Sequence, residues 1–175
     1  MRGIRQAMGA LAAVAAAGAL GSCGVGPSHT LNSTSLEKQI AEQLGSRYPV
    51  GRPTVTCPGS IPDRDGTGFV CEASFGSQRV SLQGTVTSSA GQYNIQPADA
   101  IVATAQAAST LGQDIGTDLH TSVKVDCGPS PVRVVPTGAT FQCVADISGQ
   151  GRRTVTVTVD DLAGHFRYSV STAGG

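Results

Sequence analysis

Apolar and polar residues alternate without a break from Thr154 to Val159, the period of a strand with one buried face. The same period runs through Phe69, Cys71, Ala73 and Phe75, and through Phe141, Cys143, Ala145 and Ile147. Thr54-Val55-Thr56 predicts a short strand before the first of these runs. Val80, Leu82, Gly84 and Val86 predict another after it, then Tyr93 and Ile95 a fourth; Phe166, Tyr168 and Val170 close the chain in the same way. Between them lie turn formers: Gly59 to Gly68 with Pro62, Asp63 and Asp65, then Gly76-Ser77, Ser89-Ala90-Gly91 and Asp160 to Gly164.

Two stretches carry the helical period instead. Leu36, Ile40 and Leu44 lie on one face with Ala41 beside them, opened by a capping box of Thr34 and Glu37 and stopped by Gly45. From Ala98 to about His120, Ile101, Ala105, Ala108, Leu111, Ile115 and Leu119 keep helical spacing, weakened by Gly112 and Gly116. Leu111, Ile115 and Leu119 match Leu36, Ile40 and Leu44, so the part before Leu111 reads as a linker helix with no counterpart upstream.

The pattern is written twice. Val55-Thr56-Cys57 and Phe69-Val70-Cys71 return as Val125-Asp126-Cys127 and Phe141-Gln142-Cys143, a period of roughly seventy residues. The expectation is an α+β chain of two tandem small domains, each one helix packed on a four-stranded antiparallel meander with one disulfide. The divisions are 1–22 for an export signal, 23–34 for an anchor and tether, 35–97 for the first repeat, and 98–175 for the linker helix and second repeat. Aromatics are 4% of the chain and Trp is absent, so a unit of about sixty residues has little with which to build a core, a deficit that a disulfide commonly offsets.

Charge removes one class of partner. Twelve basic and 12 acidic residues balance, which points away from nucleic acid and anionic surfaces. Arg2 and Arg5 precede an Ala-rich apolar stretch from Ala7 to Leu20, too short and weak for a membrane span, that ends in Leu20-Gly21-Ser22-Cys23. This resembles the bacterial lipobox, in which the cysteine is diacylated and becomes the new N-terminus; an ordinary signal cut near Ala19 or Ser22 is the alternative. Five cysteines leave an odd one, and Cys23 stands apart from both repeats. Of the alternative connectivities for the rest, Cys57 with Cys71 and Cys127 with Cys143 is favoured, because each repeat then closes its own loop.

Helix, Val-x-Cys, a loop ending in Gly and Phe-x-Cys, a Val/Thr-rich strand and a final aromatic strand resemble a small extracytoplasmic domain of actinobacterial envelope proteins and lipoproteins, domain-of-unknown-function family 4333. Gly128 stands where the first copy has Pro58, and Gly84 interrupts the first copy's third strand. The resemblance implies an envelope location and the paired cysteines, and it implies no activity.

Candidate chemistry is thin. His29, His120 and His165 have no Cys, Asp or His at ligand spacing. Asp63-Arg64-Asp65-Gly66 starts like a calcium loop without completing one, and no Gly-x-Ser-x-Gly or Cys-x-x-Cys occurs. No catalytic residue, metal or cofactor is expected. The reading is a non-enzymatic lipoprotein on the extracytoplasmic face of the cell membrane, anchored at Cys23, that serves as a protein-binding or accessory module for an envelope partner; the alternative is a carrier or scavenger of an apolar ligand. A pocket lined by Phe69, Phe75 and Ile95, or by Phe141, Phe166 and Ile147, would favour the carrier.

Overall fold

The computed structural model describes residues 29–171. The stretch expected to be an export signal, Cys23, most of the expected tether and the last residues lie outside the described residues. The first half runs β1 (Thr30–Leu31), α1 (Ser33–Arg47), β2 (Thr54–Thr56), β3 (Ile61–Pro62), β4 (Gly68–Phe75), β5 (Gln78–Val86) and β6 (Tyr93–Pro97). The second repeats that order as β7 (Ala100–Ala103), α2 (Thr104–Leu119), β8 (Val123–Asp126), β9 (Val132–Val135), β10 (Thr140–Ile147), β11 (Gly151–Val159) and β12 (Phe166–Val170).

The described residues are α+β, with two helices, antiparallel sheets and two disulfides, as expected. The plain meander needs correcting. The sheets are ordered β2-β4-β5-β6 and β8-β10-β11-β12, while β3 leaves to pair with β1 and β9 with β7. The β3 excursion lies in the segment Gly59 to Gly68 that turn formers mark as a loop. Cross-strand register fixes the correspondence between halves: Ala73 faces Val80 and Ala145 faces Arg153, while Gly84 faces Ile95 and Val157 faces Tyr168. Val80 thus corresponds to Arg153, and Ile95 to Tyr168.

The helices depart from expectation at their ends. Asn32, not Thr34, caps α1, its side chain accepting the Ser35 N–H at 2.8 Å. Glu37 is no capping-box partner: its carboxylate accepts the Cys57 N–H at 2.8 Å and ties the helix to the staple. The helix continues through Gly45 to Arg47, and Tyr48 ends it by donating its N–H to the Leu44 carbonyl. In the second half the chain is extended over Ala100–Ala103 where a linker helix is expected. All four residues are buried, so no alternation shows, and their apolar spacing merges with that of α2. Caps at Asn32 and Ala103 align the helices, so Leu36, Ile40, Leu44 and Tyr48 correspond to Ala107, Leu111, Ile115 and Leu119, one turn away from the register that the large residues suggest.

Two clusters of buried side chains result, and the β7–β9 ribbon stands between them. Ala100, Val102 and Val135 pack in the second cluster; Ile101 and Val132, with half-buried Val134, pack in the first. The β1–β3 ribbon instead turns Leu31 and Ile61 inward and leaves Thr30 and Pro62 exposed. Gly84, a flaw by pattern, makes room for an aromatic ring: a Cβ there would lie 2.2 Å from Cζ of Phe69. The second half has Val157 opposite Phe141 at that place.

Candidate functional site

The staples sit where the sequence puts them. Cys57 bonds Cys71 and Cys127 bonds Cys143, each bridge joining the end of an edge strand to the central β4 or β10. Cys71 and Cys143 are each 1% exposed, which fits structural bridges rather than redox chemistry. The departure at Gly128 has a local cause. Its φ of +95° is closed to proline, and the Arg133 guanidinium crosses it to donate to the Cys127 carbonyl at 3.0 Å.

Sequence reasoning missed a cleft of about 700 Å³ where the two halves meet. The end of α1 supplies Arg47 and Tyr48, β7 its wall, the middle of α2 Thr110 and Asp114, and the β11–β12 turn with β12 supplies His165, Arg167 and Tyr168. Tyr48 continues the Leu36, Ile40, Leu44 stripe by one more turn, the signal that could have found it. It is 6% exposed, meets Phe75 edge-on at 6.2 Å, and lies under the Arg47 guanidinium at 5.7 Å. Its hydroxyl is buried without a hydrogen-bond partner. Burial pushes the Tyr48 phenol above its ordinary pKa, against the pull of Arg47. Tyr168 is raised by burial and then by Asp114 and Asp118.

The far lip is a built turn. Asp161 accepts the Ala163 N–H at 2.9 Å and the His165 N–H at 3.1 Å, and meets His165 Nδ1 at 2.6 Å. These contacts, the His165 side chain first, hold the Asp161 carboxyl below its usual range. Arg167 pairs with Asp160 beside it. Arg47, Arg167 and Asp114 give the cleft both signs of charge around an apolar wall, an arrangement suited to recognition through hydrogen bonds and charge.

His29, His120 and His165 are not brought together: His29 lies before β1, His120 ends α2 and His165 lies in the β11–β12 turn. Among the described residues no group of three His, Cys, Asp or Glu side chains could hold a metal. Asp63, at the start of the calcium-like run, accepts the Gly91 N–H at 3.1 Å and so braces a turn. Phe69, Phe75 and Phe141 are packed inside the clusters.

Residues 13–91 match the family model described as Domain of unknown function (DUF4333). The matched stretch includes α1, the first staple and the strands up to β5, and it ends before β6. No curated protein and no solved structure matches the chain.

Proposed function

We propose that this chain is a non-enzymatic lipoprotein of the actinobacterial type, carrying two copies of the family domain and held at the extracytoplasmic face of the cell membrane through Cys23. In that position it binds another envelope protein. The observation that carries the reading is the allocation of the cysteines. Four close bridges within their own halves, and the one left over follows a basic and apolar leader at a lipobox-like Leu20-Gly21-Ser22. Thioether and amide-linked acyl chains together supply the several buried chains that stable anchoring requires. The two-sided cleft, with charges of both signs around an apolar wall, supports a recognition role. The carrier reading has less support, since Phe69, Phe75 and Phe141 are packed in the cores and only Phe166 of the named phenylalanines reaches the cleft.

The test compares wild type with Cys23→Ala in the native envelope, with a photoreactive residue at Thr110 in the cleft. Wild type should enter the detergent phase and crosslink to a protein, whereas the variant should be released or left unprocessed. A variant that partitions like wild type contradicts the anchor. Crosslinks to lipid alone would favour the carrier.

A further inference from the structure

The surface of the first half that receives the β7–β9 ribbon has a counterpart on the second half, and among the described residues no ribbon covers it: Ile147 and Val155 are buried there, while Leu119 is exposed. In the first half, Tyr48, Phe75, Val80 and Leu82 share one cluster with Ile101 and Val132, which are 1% and 0% exposed. Strand register and helix caps place Leu119, Ile147, Arg153 and Val155 at the corresponding positions. Leu119, Ile147 and Arg153 line a groove of about 380 Å³, with Tyr168 and Val170 of the edge strand β12 along its side.

Resting on the reading of a protein-binding module, we infer that this groove takes a β-hairpin of the partner protein that presents paired β-branched aliphatic side chains. The molecule itself shows the occupant that such a seat accepts: a two-stranded antiparallel ribbon contributing Ile101 and Val132, with half-buried Val134. The seat differs in a way that suits an exchangeable partner. Leu119 is 41% exposed where Tyr48 is buried, and Asp118 and Arg153 stand at the groove, neither in an ion pair among the described residues. A purely polar cap would put charge across the whole end; here Leu119 and Val170 remain accessible between the charges, the plan of an apolar centre with a polar rim. The ribbon of the chain's own first half is a poor occupant, since its outward residues are Thr30 and Pro62. In the first half it is β9 of the ribbon that packs against β5, while β7 follows β6 in the chain; a hairpin in the groove would lie against β11 in the same way.

The experiment uses the full anchored chain with a photoreactive residue at Gln150, which lines the groove, and a control at Val70, which is 58% exposed on the first half. Mass spectrometry of the Gln150 adduct should find a partner peptide with aliphatic residues at alternate positions. Leu119→Asp should lower the yield roughly tenfold, the effect of losing one apolar anchor, while leaving thermal unfolding unchanged. An adduct with a second copy of this chain, with lipid or with a helical segment overturns the inference, as does no adduct beyond the Val70 control or a yield indifferent to Leu119→Asp. If the Thr110 crosslink and the Cys23 anchor hold while Gln150 finds no protein, the groove fails and the binding-module reading stands.

Discussion

The two halves share an order of elements and differ in what completes them. The first cluster includes Ile101, Val132 and Val134 from the second half; among the described residues the second cluster takes nothing from the first half. A repeated sequence therefore does not imply two independent cores. The residues at the two equivalent ends follow suit. Tyr48 and Val80 are buried at the end that meets the ribbon, where the second half has Leu119 and Arg153.

The staples test this asymmetry with the largest effect. Each bridge closes a loop of about fifteen residues and contributes on the order of 3 kcal/mol, against the roughly 3 to 5 kcal/mol that a small core supplies. Cys71→Ala should unfold the first half and leave the second folded. Cys143→Ala should disturb both, because unfolding the second half withdraws Ile101 and Val132 from the first. Amide spectra with heating show which signals collapse; equal and separate losses in the two variants would break the comparison.

Gly84→Val is next. Strand propensity alone would favour valine, and the second half carries Val157 there. Because the Phe69 ring occupies that space, the substitution should instead destabilise by about 1 to 3 kcal/mol, read as a fall in the urea midpoint. A rise in the midpoint would show that the ring moves aside freely.

How legible this was depends on what each residue buries. Strands with one wet face announced themselves by alternation, and β4, β5, β10 and β11 stand where the pattern puts them. The staple pairs followed from the repeat. Ala100–Ala103 is buried on both faces, so its apolar run had no period to distinguish it from the helix that follows. Ala107 is 2% exposed yet too small to stand out, and Leu119 is large but largely outside, which moves the apparent helix register by one turn. The cleft draws on distant segments whose polar residues carry no local signature.

Caps give a smaller contrast. Asn32→Ala should cost about 1 kcal/mol by leaving the Ser35 N–H without its acceptor, whereas Ala103 makes no side-chain cap bond for a substitution to remove. Denaturant midpoints measure it, and an unchanged midpoint would mean that packing alone fixes the start of α1.

The smallest effect is on pH. Asp161 is held below the usual carboxylate range chiefly by His165, while the matching turn of the first half uses uncharged Ser88, whose hydroxyl accepts the Ala90 N–H. A depressed folded pKa adds stability that is present above about pH 4 and lost as pH falls through the folded value. Carboxyl NMR should find Asp161 titrating below about 3.9, and His165→Ala should bring it back toward that value. An Asp161 midpoint unmoved by the substitution would show that the turn backbone alone sets it.

The shared ribbon is tested most directly by unfolding residues 24–97 and 98–175 as separate fragments beside the full chain, following each half by amide exchange. Residues 98–175 should unfold cooperatively, with exchange close to that of the second half in the full chain. Residues 24–97 should lose about 3 to 6 kcal/mol relative to the same half in the full chain, since two fully buried β-branched side chains are gone. Equal protection of residues 29–97 with and without the second half would contradict a core completed from outside.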